Sequence, residues 1–495
     1  MGGELQPIEV SRLAATAAFL GDAAADRHTF LKKAVLLTGE LETLATPNGR
    51  ACFFDALRLL MKMSVDRFHV LLPARSGLDK EVENLIDEVA LKSRPEVRIA
   101  DQIAESYDAI LSVGTIGDPD RPLTVVNSNG WIARVASTGK SLPRDCSQFN
   151  RIGALGAACL GVAEVFKRLV ILNPEKGELH DYLSFSFYTY KEADAPGPEL
   201  PKEVAVDVLL VGLGAIGNAT LHLLLNLPFT GSMTILDFQQ YGIENWGTCF
   251  LVTPKDIDRP KIDAAKRWVN GRFRLKACHQ TIEDYLKTNA AVAPRLVING
   301  LDNVSARRAV QDLWPDNVFD GAIGPVSAEV TVHPWGLDLS CLKCDFPEPE
   351  VIAEEQQIRA TGLRRERLLD SQSSLTEQDI AAAAPEYREF LSKHLGKPVC
   401  SVVSEGVIAM LSRDVLRPGF EPSVAFVAAL SSCMLVTELI RYVQKDQAVL
   451  ETGFQFDVMR GPQFGLHKAH ARKSNCVCVE RRQNIEAIRA RRHMS

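Results

Sequence analysis

The clearest pattern of elements lies in the second half of the chain. Residues 206–211 (VDVLLV) are a short, nearly continuous apolar run, as expected of a strand buried in a parallel sheet. The run passes into Gly212, Gly214 and Gly217, and residues 220–227 continue as an apolar helix. Further strands are predicted over 233–236, closed by Asp237, and over 296–298. The first half has the same rhythm. It predicts a strand at 34–37, a helix at 52–61, a strand at 68–72, and strands at 108–113 and 123–127.

The two halves read as copies of one plan. CLGVAEVFK at 159–167 mirrors CMLVTELIR at 433–441, with Cys159, Glu164 and Lys167 facing Cys433, Glu438 and Arg441 in the alignment. That offset is 274 positions, whereas the first strands match at Gly39 and Gly212, 173 positions apart. The second copy therefore carries about 101 additional residues. Much of the addition is 347–397, polar and charged, which reads as a mobile crossing segment with a helix or two. The expected division is 1–190, a Pro-rich charged linker at 191–202 (KEADAPGPELPK), 203–480 with the crossing segment at 347–400, and a charged helical tail at 481–495.

Composition narrows the class. The chain has 495 residues, enough for two or three domains, with 46% apolar and 24% charged residues, as in ordinary globular proteins. Its net charge of −6 provides no basic field, so nucleic acid is not an expected partner. The apolar stretch 424–440 contains Ser431, Ser432, Thr437 and Glu438, which favour a buried helix over a membrane span. The N-terminus, MGGELQPIEV, lacks the pattern of a secretory signal, and eleven cysteines then indicate a reducing, cytoplasmic setting.

Strand, Gly-rich turn, helix, strand and terminal acid make a unit that cradles phosphate. Glycines allow the backbone to approach an anion, and the helix N-terminus favours negative charge. The cradle is Gly212, Gly214, Ala215, Ile216 and Gly217, with Asp237 placed to accept from ribose hydroxyls. The matching turn of the first half is Gly39-Glu40-Leu41-Glu42. It has two acids where phosphates would lie, so nucleotide is expected in the second half alone. Downstream, Asn245, Lys261 and Asp302 are polar where a dinucleotide dehydrogenase needs nothing. Asp302 follows the strand at 296–298, a suitable place for Mg²⁺ beside phosphates, and Lys261 can balance phosphate charge.

From Asp237 through Asn245 and Lys261 to Asp302-Asn303, the sequence resembles the adenylation domain of ubiquitin-activating enzymes. It is equally similar to the bacterial ThiF/MoeB relatives that activate sulfur-carrier proteins. Asn245 and Lys261 fall at that family's spacing, eight and twenty-four positions beyond Asp237. The resemblance implies an α/β fold with two Rossmann-like adenylation-type domains in a pseudo-dimer, the first degenerate and the second active. It implies Asp237 for ribose, Asn245 and Lys261 for the phosphates, and Asp302 for Mg²⁺. The family's arginine eleven positions after the acid is absent, and Thr248 stands there. Arg12 and Arg259 are candidates to replace its charge.

The cysteines extend the resemblance. Cys341-Leu-Lys-Cys344 and Cys476-Val-Cys478 could supply four thiolates to a structural zinc, as in the family, with a redox pair or four unrelated buried thiols as alternatives. Cys400 follows the crossing segment, near Lys397 and at the expected start of a helix, both of which favour thiolate. In the family the thioester cysteine occupies about this place. Cys249 is its rival, and Cys52, Cys146, Cys159, Cys278 and Cys433 read as core.

The resulting expectation is ATP-dependent adenylation of the C-terminal glycine of a small ubiquitin-like protein. Thioester formation on Cys400 and transfer to a conjugating enzyme would follow, by a chain that is monomeric because it is an internal pseudo-dimer. Such two-half proteins resemble the activating enzymes of bacterial ubiquitin-like conjugation operons in antiphage defence. The alternatives are a sulfur-carrier adenylyltransferase without the thioester step, a NAD-dependent dehydrogenase, and a non-catalytic scaffold with a decayed nucleotide site.

Overall fold

A computed structural model describes residues 16, 20, 32–63, 65–91, 94–103, 105–289, 294–347, 354–370, 373–399, 401–403, 406, 424–446 and 453–493. Cys400 and Arg12 lie outside the described residues.

The first half builds one sheet from β1 (Ala34–Gly39), β2 (Arg67–Leu72), β3 (Glu96–Ile99), β4 (Ala109–Val113), β5 (Leu123–Asn129), β6 (Ile132–Ala136), β7 (Leu183–Ser186) and β8 (Lys191–Glu192). The second builds another from β9 (Val204–Val211), β10 (Phe229–Leu236), β11 (Arg274–Cys278), β12 (Leu296–Asn299), β13 (Asn317–Ile323), β14 (Ser327–Pro334), β15 (Gly453–Asp457) and β16 (Leu466–Lys468). The two eight-stranded sheets share one order, β3-β2-β1-β4-β5-β6-β7-β8 and β11-β10-β9-β12-β13-β14-β15-β16. Direction is repeated too. In each sheet the first five strands pair in parallel and the last three add on antiparallel. The duplication inferred from two helices is thus a duplication of topology. It also corrects the linker, because Lys191–Glu192 form the edge strand β8. A two-residue strand leaves no periodicity to read.

The helices that carry the argument are α1 (Pro47–Met61), α2 (Arg151–Val170), α3 (Ala215–Asn226), α4 (Ile243–Thr248), α5 (Lys261–Val269), α6 (Val304–Gln311), α7 (Ala425–Val443) and α8 (Arg482–His493). The matched helices α2 and α7 pack against each other. Each buries an acid–base pair one turn apart, Glu164 with Lys167 and Glu438 with Arg441. A buried charge is tolerable only when paired, so the motif repeats as a pair. Helix α7 is long and apolar enough to cross a membrane, but 89% of its most apolar window is buried inside the protein. One apolar core runs through both halves.

Residues 347–420 form a second compact unit. Its described part contains four short helices, Glu354–Thr361, Arg365–Leu369, Glu377–Ala382 and Pro385–Ser392. They enclose a small core of Leu363, Leu375, Leu391, Val399 and Val402. The expectation of a helix or two is corrected to four among the described residues. Each helix is at most eight residues long and contributes no more than three apolar residues, too few to show a helical period.

Candidate active site

Strand β9 delivers the chain into the Gly-rich turn at the carboxyl ends of the parallel strands, where open α/β sheets bind ligands. Gly212 sits at φ +87°, a conformation that other L-residues rarely adopt. A Cβ on Gly217 would lie 1.9 Å from the Gly212 carbonyl oxygen, so only glycine lets α3 approach the turn. Gly214 precedes the first turn of α3, and a Cβ there meets nothing within 4 Å. The turn is therefore tight behind and open in front. Ile216, by contrast, faces the core. The loop after β12 lies against the turn, since a Cβ on Gly300 would stand 3.0 Å from the Gly217 amide nitrogen.

Asp237 ends β10 and is only 7% exposed. Its Oδ2 accepts from the Leu213 amide at 2.7 Å, and its Oδ1 from the Gln239 amide at 2.8 Å. The carboxylate ties the Gly-rich turn to the next loop. Lys261 opens α5 and is 5% exposed. Its ammonium donates to Gln239 Oε1 at 2.7 Å, lies 3.7 Å from Asp237 Oδ2, and stands 5.5 Å from the Tyr241 ring centroid. The structure thus brings Asp237 and Lys261 together beside the turn.

Asn245 and Asp302 are placed differently. Asn245 Oδ1 accepts the Gly242 amide at 2.8 Å and caps its own helix, α4. That bond gives it a structural task whatever else it does. Asp302 is exposed in the loop after β12, and Asn303 caps α6 by accepting from the Ala306 amide at 3.0 Å. Thr248, where the resemblance expects arginine, is buried, and its hydroxyl points back to the Glu244 carbonyl at 3.4 Å. Arg259 is exposed. Two residues of the site escaped the sequence reading, Gln239 and Tyr241. The Tyr241 hydroxyl donates to the Leu213 carbonyl at 2.9 Å and accepts from Asn218 at 3.1 Å. The readable signal was Asn218, a polar residue on the apolar helix α3.

In the first half, the acid of the matching turn is engaged internally. The Glu40 carboxylate accepts from the amides of Thr115 and Ile116, at 2.9 and 2.7 Å, and from the Thr115 hydroxyl at 2.9 Å. These donors follow β4, the counterpart of β12. The carboxylate thus ties the turn after β1 to the loop after β4.

Cys341, Cys344, Cys476 and Cys478 converge, with all four sulfurs within 4.8 Å of one another. Neighbouring separations are 3.8, 3.7 and 3.6 Å. A tetrahedral thiolate shell with metal–sulfur bonds of about 2.3 Å sets its sulfurs about 3.8 Å apart, so the geometry fits a closed metal site. The Lys473 amide points at the Cys344 sulfur at 3.5 Å, and Trp314 and Ile485 cover the cluster. The tail helix α8 packs here as well. Arg489 donates to the Trp314 and Pro315 carbonyls, and Arg492 to the Leu313 carbonyl at 2.8 Å, close to the end of α6. Cys249, Cys159 and Cys433 are fully buried, and burial raises the thiol pKa of the last two.

A family model described as "ThiF family" matches residues 195–478, more than half of the chain. The chain belongs to the ThiF family. The match covers the Gly-rich turn, Asp237, Lys261 and all four clustered cysteines. Along nearly its whole length this ThiF chain is similar to an uncharacterized protein, y4jF, of Sinorhizobium fredii, 24% identical over 91% of this chain and 89% of that one. Two shorter similarities reach named enzymes. The molybdopterin-synthase adenylyltransferase of Salmonella typhimurium is 26% identical over 30% of this chain and 62% of its own length. The NEDD8-activating enzyme E1 catalytic subunit of Saccharomyces cerevisiae is 28% identical over 21% and 36%. Those two matches span less than two thirds of the enzymes concerned.

Proposed function

We propose that the chain adenylates the C-terminal glycine of a small ubiquitin-like protein and then holds it as a thioester on Cys400. The observation that carries the reading is the buried Lys261 beside Asp237, at the edge of a Gly-rich turn that is open at Gly214. A lysine kept out of water next to a phosphate cradle suits stabilisation of charge on a transferring group. Membership of the ThiF family and the similarities to an adenylyltransferase and to the catalytic subunit of an activating enzyme support the same chemistry.

In this reading ATP is the substrate of the second half alone, residues 203–480, while Glu40 keeps the first half, residues 1–190, free of nucleotide. The acceptor's terminal carboxylate attacks the α-phosphorus, an acyl-adenylate forms and pyrophosphate leaves. Gly212, Gly214, Ala215, Ile216 and Gly217 contact the phosphates, Asp237 borders the ribose, and Asn245 and Lys261 orient the triphosphate. Asp302 would hold Mg²⁺, which when bound supplies neutralising charge. The Cys400 thiolate then attacks the acyl carbon, forming the thioester and releasing AMP. Zinc in the four-cysteine shell serves structure. A cytoplasmic monomer passing its cargo to a conjugating enzyme completes the proposal.

The second reading stops at the acyl-adenylate, as the similarity to a molybdopterin-synthase adenylyltransferase allows. One experiment separates the two. Mixed with ATP and the small protein, the wild type should give an adduct that dithiothreitol removes. Cys400→Ala should lose the adduct yet keep pyrophosphate exchange, whereas Cys433→Ala should keep both. An adduct that survives in Cys400→Ala places the nucleophile elsewhere.

A further inference from the structure

The segment from Tyr241 to Val252 carries Asn245 and runs between two supports. On one side it is tied to the Gly-rich unit. The Tyr241 hydroxyl donates to the Leu213 carbonyl, and the Leu251 amide donates to Asn218 Oδ1. On the other side it meets the first half. Trp246 Nε1 donates to the Val89 carbonyl at 2.9 Å. The Lys62 ammonium donates to the Val252 carbonyl and stands 4.8 Å from the Trp246 ring centroid. Arg58 lies over the Phe250 ring at 5.7 Å. Lys62 follows α1 directly, so four contacts across the two halves converge on residues 246–252.

Lys62 is an expensive residue in this place. It is 4% exposed, and burial pulls its pKa well below the usual lysine value. A methionine or leucine would fill the same space without desolvating a charge, and often with no loss of stability. What an apolar side chain cannot do is grip a carbonyl and a ring together and fix the path of the chain between them. The segment it grips is the one that presents Asn245.

We infer that Lys62 and Trp246 are positioning residues of the nucleotide site, through which the degenerate first half sets the geometry of the Asn245 segment in the active second half. The inference rests on the adenylation reading. It makes the first half a working part of the site without giving it a nucleotide of its own.

The test measures Mg·ATP affinity by titration calorimetry and hydrogen exchange of amides 243–252 in three full-length proteins. These are the wild type, Lys62→Met and Tyr188→Phe. The last cuts a different tie across the halves, the one from Tyr188 to Asp446, and controls for general loosening of the interface. Lys62→Met should bind Mg·ATP about tenfold more weakly, because the hydrogen bond that orders the Asn245 segment is lost and binding must supply that order. Exchange at 243–252 should quicken in that variant alone, and Tyr188→Phe should bind as the wild type does. Unchanged affinity in Lys62→Met overturns the inference, and so does equal weakening in both variants. A wild type that fails to bind Mg·ATP overturns the adenylation reading itself, a distinct result.

Discussion

Gly214 and Gly217 are separated by two residues and should respond to one added methyl group in opposite ways. In Gly217→Ala the new Cβ would stand 1.9 Å from the Gly212 carbonyl, more than an ångström inside the 3.0 Å that real Cβ atoms respect. The obstacle is backbone, which cannot swing aside, so α3 or the turn must move. Overpacking of this kind costs about 1–3 kcal/mol. In Gly214→Ala the methyl meets nothing within 4 Å and the backbone has an ordinary φ of −67°. The reduced freedom of the unfolded chain is worth about 0.4–1 kcal/mol to stability, offset by alanine's poorer fit before a helix, leaving a net change within about 0.5 kcal/mol. That methyl nevertheless fills the space a phosphate would approach. Losing one charge-assisted hydrogen bond there should weaken Mg·ATP binding by at least about tenfold. Urea unfolding and titration calorimetry on both variants read the two effects. Gly217→Ala should lose stability and binding together, and Gly214→Ala binding alone. Wild-type affinity in Gly214→Ala would refute the assignment of this turn as a phosphate cradle.

Two further outcomes follow from the same structure. Metal analysis of the purified chain should find about one zinc, and Cys344→Ser should release it and lower the unfolding temperature, since metal-binding energy at a closed site is folding energy; a zinc-free, equally stable wild type would contradict this. His180 and His222 are held neutral mainly by burial, each with its pKa lowered to about 4. The unfolded chain binds their protons from about pH 6.5 downward, so their contribution is intact above that pH and falls toward pH 4, by about 2 kcal/mol each at pH 5. Urea midpoints at pH 7.5 and 5 should show the loss, and His222→Gln should flatten it; an unchanged slope in that variant would exclude His222.

Much of this was readable from the chain alone. The runs around 206–211 and 233–236 and the positions of Gly212, Gly217 and Asp237 place strand, turn and acid, because a buried parallel strand and a phosphate turn leave local marks in the sequence. The two cysteine pairs converge on one shell although 132 residues separate Cys344 from Cys476. The duplication showed in two apolar helices, but the full match of strand order depends on edge strands as short as Lys191–Glu192, which carry no period. Tertiary partners were invisible. Asp237 was read as an acid able to accept from ribose hydroxyls, and the two backbone amides its oxygens also accept were not visible. Gln239 and Tyr241 were passed over because their partners, Lys261 and Leu213, lie twenty or more residues away. Glu40 was read as sitting where phosphates would lie, and its bonds to the Thr115 and Ile116 amides, seventy-five or more residues away, could not be read from the sequence. The compact unit at 347–420 was missed because its core is spread thinly over short helices.

The central claim is that the second half transfers adenylate to a protein carboxylate. Exchange of labelled pyrophosphate into ATP tests it most directly, because exchange requires a reversible acyl-adenylate and nothing later. With a cognate small protein ending in glycine, the wild type should catalyse exchange. Asp302→Ala should abolish it through loss of the Mg²⁺ ligand, while circular dichroism and the unfolding temperature stay as they were, the side chain being exposed. Absence of exchange in the wild type with its cognate protein, or full exchange in Asp302→Ala, would contradict the account.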